Sequence, residues 1–147
     1  MCKELLRRLD VDDYDDLLSL WRRAGLHSIK PQGRDSRPAL ARQLESGVLT
    51  MLGFEVEGRL VAAVIVTHDS RKGWINRLAV DPDYRRQGYA VRLIAASEAL
   101  LCEQGIPVTA ALVMSDNAAS LALFQKAGYV EVDAGIHYLT KREGDDV

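Results

Sequence analysis

Cysteine is scarce in this chain. Cys2 and Cys102 stand far apart, with no CxxC spacing and no histidine cluster beside either, which excludes a disulfide framework and a zinc site as organising devices. Cys102 is expected in the core and Cys2 at the surface. Long apolar runs are missing too. The longest is "LVAAVIV", Leu60 to Val66, far short of the roughly 20 residues that a membrane helix needs. With the charged opening "MCKELLRRLD", this predicts neither a membrane span nor a signal peptide, hence a cytoplasmic protein. Charge of a single sign is also lacking. Nineteen Lys and Arg stand against 21 Asp and Glu, for a net charge of −2, so no global field draws nucleic acid or a membrane surface. Repeats, low-complexity tracts and linkers are absent. The 147 residues, 48% hydrophobic, therefore predict one globular domain, 1–147, with its own core.

Clear periodicity fills the rest. Glu4 to Leu9 reads as a strand. Tyr14, Leu17, Leu18 and Trp21 mark one face of a helix that Gly25 ends, and Asp12, Asp13, Asp15 and Asp16 complement the positive end of its dipole. The polar loop "HSIKPQGRDS" leads into a short helix from about Pro38 to Gly47, with Ser36 as its cap. Val48 to Asp69 reads as a hairpin about a Glu57-Gly58 turn, and "WINRLAV" as the next strand. Ala90, Leu93, Ile94, Ser97, Leu100 and Leu101 line a long helix ending near Gly105. Strand "VTAALVM", helix "SDNAASLALFQKAGY" with its Gly128 stop, and a last hairpin of "YVEV" and "IHYLTK" follow, before a charged tail.

The stretch "VDPDYRRQGYA", Val80 to Ala90, joins a strand directly to a helix. Such a junction leaves the first-turn N–H groups of the helix unpaired, which makes an anion site along the dipole. Gly88 lets a ligand approach the main chain, Arg85 and Arg86 add charge for phosphate oxygens, and Ala90 keeps the second turn small. The dinucleotide GxGxxG and the P-loop GxxxxGK[ST] are both absent.

The order "WINRLAVDPDYRRQGYA", long helix, strand, "SDNAASLALFQKAGY" resembles the GNAT family of N-acetyltransferases. The element order covers nearly the whole chain, and the motifs run from about Asn76 to Tyr129. The resemblance implies an α/β (α+β) fold: a twisted mixed sheet of six to seven strands, helices on both faces, splayed between the fourth and fifth strands. It implies acetyl-CoA as acyl donor, its pyrophosphate cradled by Arg85, Arg86, Gln87, Gly88, Tyr89, Ala90 and Val91. Its pantetheine arm would pair with main-chain groups of Leu78, Ala79 and Val80 as a missing strand does, and touch the helix face of Asn117, Ser120 and Phe124. The acceptor would be a small-molecule or protein amine, with no metal, nucleic acid or membrane partner. A homodimer is left open.

Two positions depart from the family. Phe124 stands where many members carry a tyrosine that protonates the leaving sulfur, and Leu112 where some carry a glutamate. A thiol with a reference pKa of about 8.5 leaves tolerably without a dedicated acid. Asn76 is the candidate for holding a water that takes the amine proton, on a strand face expected to include Trp74 and Leu78. Arg34 and Asp35, in the polar loop, are candidates for reading the acceptor. The reading is direct acyl transfer to a primary amine in a ternary complex. The alternative is a non-catalytic acyl-CoA-binding sensor or subunit.

Overall fold

A computed structural model describes residues 3–132 and 135–146, so Cys2 lies outside the described residues. The segments of period two form β1 (Glu4–Leu9), β2 (Leu49–Val56), β3 (Arg59–His68), β4 (Gly73–Val80) and β5 (Thr109–Ala111). Those with helical period form α1 (Tyr14–Arg23), α2 (Arg37–Ser46), α3 (Tyr89–Glu103) and α4 (Ala118–Lys126). The strands make one mixed sheet in sequence order, antiparallel from β1 to β4 and parallel between β4 and β5. Glu57 at φ +52° and Gly58 at φ +81° close the β2–β3 hairpin, the left-handed pair that matches strand twist.

Local chemistry sets the helix ends. Before α1, Asp10 and Asp13 cap each other reciprocally, the Asp12 N–H donating to Asp10 Oδ1 at 2.8 Å and the Asp10 N–H to Asp13 Oδ2 at 2.9 Å. Acidic Asp15 and Asp16 in the first turn of α1 and basic Arg22 and Arg23 in its last both suit the dipole. Ser36 caps α2, and Gly47 ends it at φ +81°.

The sheet is covered on both faces. On one, Tyr14, Leu17, Leu20 and Trp21 of α1 and Leu40 of α2 pack against Met51, Ala63 and Ile65. On the other, Leu93, Ile94 and Leu101 of α3 and Phe124 of α4 pack against Phe54, Val64 and Ile75. Gly73 permits the closest approach, since a Cβ there would fall inside contact distance of the Leu101 side chain.

Three sequence expectations need correction. The sheet has five strands, not six to seven. Residues 129–132 and 135–142 form no strand, and Val130, Val132, Ile136, Tyr138 and Leu139 are exposed. Their alternation is a local signal, whereas a strand needs an edge to pair with, and β5 is only three residues long. Cys102 is exposed rather than in the core, because it falls beyond the inward Leu100–Leu101 edge of α3. The third correction concerns the face of β4. Asn76 opposes Ile65 and Ala79 opposes Ala63, so Arg77 and Leu78 together face Val64 in a bulge that reverses the side-chain phase. Leu78 and Val80 therefore pack on the α3 side, while Asn76 faces the α1 side with its partner Ile65.

Candidate functional site

Pairing between β4 and β5 covers only Gly73–Ile75 against Thr109–Ala111. Beyond it the strands part, and the β4 edge from Asn76 to Val80 has no strand partner on that side among the described residues. A cleft of about 930 Å³ occupies the fork. One wall is the end of β4, Leu78 to Val80; another is the turn after α1, Ala24 to Ser28; the floor is Tyr84 to Val91; and the far wall runs from Met114 to Leu123. A parted edge with main-chain groups turned to a cleft is what an extended amide-bearing chain pairs with.

The floor is held rigidly. Asp81, only 2% exposed, receives the Asp83 N–H at 2.9 Å, Arg23 Nε at 2.9 Å and Arg59 Nη2 at 3.1 Å. Burial alone would raise its carboxyl, yet the Asp83 N–H and the two guanidiniums hold it below the ordinary carboxylate range. From that anchor the turn Pro82–Tyr84 leads to Arg86 at φ +62° and Gly88 at φ +85°. A Cβ on Gly88 would meet no protein atom within 4 Å, so the glycine is required by its left-handed backbone while the space beside it is open. Gly88 begins α3 without a side-chain cap, whereas Ser36 caps α2 and Asn117 caps α4. The start of α3, Gly88 to Val91, lines the cleft beside Arg85 and Arg86. A helix start without a side-chain cap, its dipole and two guanidiniums fit a pyrophosphate.

Every cofactor residue expected from the sequence lines this cleft except Gln87 and Phe124. Gln87 is exposed, between Arg86 and Gly88. Phe124 is 7% exposed and packs into the α3-side core, its ring 5.1 Å from that of Tyr129 in a T-shaped contact. Leu123 takes its place in the wall. Burial, with the Glu98 carboxylate nearby, pushes the Tyr129 phenol up to about 12; its hydroxyl is buried without a well-formed hydrogen bond among the described residues. Arg85 reaches across to donate to the Ala24 carbonyl at 3.3 Å, joining floor to wall. Asn117 accepts the Ser120 N–H at 3.1 Å through its side-chain oxygen, so it caps α4 and lines the cleft together.

The acceptor-side candidates are dispersed. Asn76 donates from Nδ2 to Thr67 Oγ1 at 2.9 Å and stands outside the cleft lining. Asp35 is 4% exposed, its carboxylate taken by the Lys30 N–H at 2.6 Å and Arg77 at 3.0 Å, so it faces inward rather than toward an entering ligand. Arg34 is exposed and gives its carbonyl to Gln43. His68 Nδ1 accepts the Ser70 N–H at 3.1 Å, a turn role. Sequence reasoning missed His27, Ser28, Tyr84 and Met114, all in the cleft lining. They sit in connections or at element ends, where no periodicity marks which side chains turn inward.

Comparison with known proteins agrees with this geometry. Residues 13–129 match the family model described as "Acetyltransferase (GNAT) family". An acetyltransferase of Sodalis glossinidius is 31% identical over 135 residues, 92% of this chain and 92% of that protein. A predicted acetyltransferase from Clostridium acetobutylicum, solved with acetyl-CoA, superposes with a TM-score of 0.77 at 16% identity, covering 93% of this chain and 96% of that one. An aminoglycoside N-acetyltransferase in complex with a CoA-linked bisubstrate analogue also gives 0.77, at 17% identity over 95% of this chain and 99% of that one. With the forked sheet, the uncapped α3 and the family match over most of its length, this chain belongs to the acetyltransferase (GNAT) family and is an N-acetyltransferase.

Proposed function

We propose that the chain transfers acetyl from acetyl-CoA to a primary amine by direct attack in a ternary complex. The observation that carries the reading is the cleft itself: an unpaired β4 edge leading to an uncapped helix start flanked by Arg85 and Arg86. Acetyl-CoA, as co-substrate, supplies an activated thioester carbonyl. The first-turn N–H groups of α3 from Tyr89 to Val91, with Arg85, Arg86 and Gly88, hold its pyrophosphate. The Leu78–Val80 edge pairs with its amide arm, and Asn117 and Ser120 close the far side.

Where the β4–β5 pairing ends at Ile75 the sheet opens to both faces, so the donor lies along the Leu78 edge and the acceptor on the Asn76 face. With Nδ2 committed to Thr67, Asn76 has its side-chain oxygen left to hold a water that collects the amine proton. No strong base is then required, since holding the reactants in register supplies on the order of 7 to 11 kcal/mol. The departures at Phe124 and Leu112 do not favour a non-catalytic binder, because Phe124 is a core residue here and thiolate departure tolerates the absence of an acid. The acceptor class remains that of primary amines, small or on a protein. The solved neighbours, one of them an alanine N-acetyltransferase of ribosomal protein S18 and another acting on aminoglycosides, span that range.

The test is amine-dependent thiol release from acetyl-CoA across a panel of amines, followed by kcat/KM against pH for two acceptors of different amine pKa. The reading expects a limb that moves with the acceptor. An inflection near about 6.5, the histidine reference, that stays fixed between acceptors and disappears in His27→Ala would instead make His27 the base. No amine-dependent release from any acceptor would contradict the reading.

A further inference from the structure

One side chain ties the two walls of the cleft together. Arg77, in the β4 bulge, has a left-handed backbone at φ +52°, which side chains rarely adopt and which surrounding contacts must hold. Its side chain is 15% exposed and donates to Ser28 Oγ at 3.3 Å, to the Ser28 carbonyl at 3.2 Å and to Asp35 Oδ2 at 3.0 Å. The Asp35 side chain is 6% exposed. It accepts the Lys30 N–H, and the Asp35 carbonyl accepts the Tyr14 hydroxyl at 2.9 Å, which pins the loop to α1. Ser28 ends the loop wall of the cleft, and Leu78, next to Arg77 in the chain, begins the strand wall. One guanidinium therefore ties Ser28, at the loop end of the cleft, and Asp35 to the β4 bulge.

We propose that the Arg77–Asp35 pair is a latch that fixes the 26–35 loop over the β4 bulge, making Arg77 a positioning residue for the acceptor amine. This rests on the acyl-transfer reading above. The pyrophosphate end of the cleft, built by Arg85 to Val91, does not depend on it. Arg77 therefore acts on where the amine sits, not on how tightly acetyl-CoA is held. The pair is nearly dry, so removing Arg77 alone leaves a buried unpaired carboxylate and endangers the fold.

The double variant Arg77→Met/Asp35→Asn removes both charges at similar size and is the informative one. Amide hydrogen exchange should quicken at least about tenfold over 26–35 while α3 and the sheet stay protected. Acetyl-CoA affinity by calorimetry should stay within about threefold, while kcat/KM for the amine falls by up to about 100-fold, the scale of small misplacements. Arg77→Lys, which keeps a donor for Asp35, should recover part of that loss. Unchanged loop exchange would overturn the latch. Faster exchange with kcat/KM unaltered would overturn the positioning role. A wild type that turns over no amine would contradict the acyl-transfer reading and not the latch, which the exchange comparison decides alone.

Discussion

Asp81 shows how one residue can serve both stability and site. Its carboxylate is enclosed, receives one N–H and two guanidiniums, and is held below the ordinary carboxylate range. A depressed native value means the unfolded chain binds the proton more readily. The stabilisation is thus complete above the unfolded value of about 3.9 and is lost as pH falls through the lower folded one. Asp81→Asn should cost about 1–3 kcal/mol at neutral pH and flatten the decline of Tm below about pH 4. The check is thermal melts from pH 7 to 2 on both proteins. Equal slopes would show that other carboxylates carry the acid sensitivity, among them Asp13, whose hydrogen bond from Arg7 lowers it.

At the scale of elements, the fork depends on how closely α3 approaches β4. Gly73 lies where β4 still pairs with β5, and α3 presses Leu101 onto it. Gly73→Ala should cost about 1–3 kcal/mol by overpacking, seen as a lower Tm. Unaltered stability would mean that Leu101 yields freely and that the contact does not set the fork. Most elements were legible in the sequence because each carries its own signal. Ser36 and Gly47 mark helix ends by their chemistry, Glu57-Gly58 marks a hairpin, and the Leu93–Leu101 face marks α3. What remained illegible depends on partners distant in the chain. The bulge at Arg77 and Leu78 carries no local mark, since neither residue favours a left-handed backbone, and it alone moved Asn76 to the face opposite Leu78. "IHYLTK" alternates as a strand does but has no long edge to join. The segment proposed for the donor, Arg85 to Val91, was readable because it is one continuous stretch of the chain. The acceptor-side candidates were not, since Asp35 and Asn76 come from separate elements, and the burial of Asp35 goes with its ion pair to Arg77 of β4.

In the whole molecule, a sheet that parts after three paired residues meets a helix whose first turn lacks a side-chain cap. Neither feature makes a site alone; the proposed function uses both, the edge for the donor's amides and the helix start for its phosphates. Among the described residues no helix is long and apolar enough to cross a membrane, and no cluster of three or more His, Cys, Asp or Glu is placed to hold a metal ion. The proposed function stands or falls with acetyl-CoA binding its pyrophosphate at Gly88. The most direct measurement is calorimetric titration of acetyl-CoA into the wild type and into Gly88→Glu, with circular dichroism confirming that both are folded. Glutamate at that position brings a negative charge to the phosphate cradle and strains a backbone at φ +85°. Micromolar-range binding is expected for the wild type, with a loss of at least about tenfold, or about 1.4 kcal/mol, in the variant. A folded Gly88→Glu protein that binds acetyl-CoA as tightly as the wild type would contradict the proposed function.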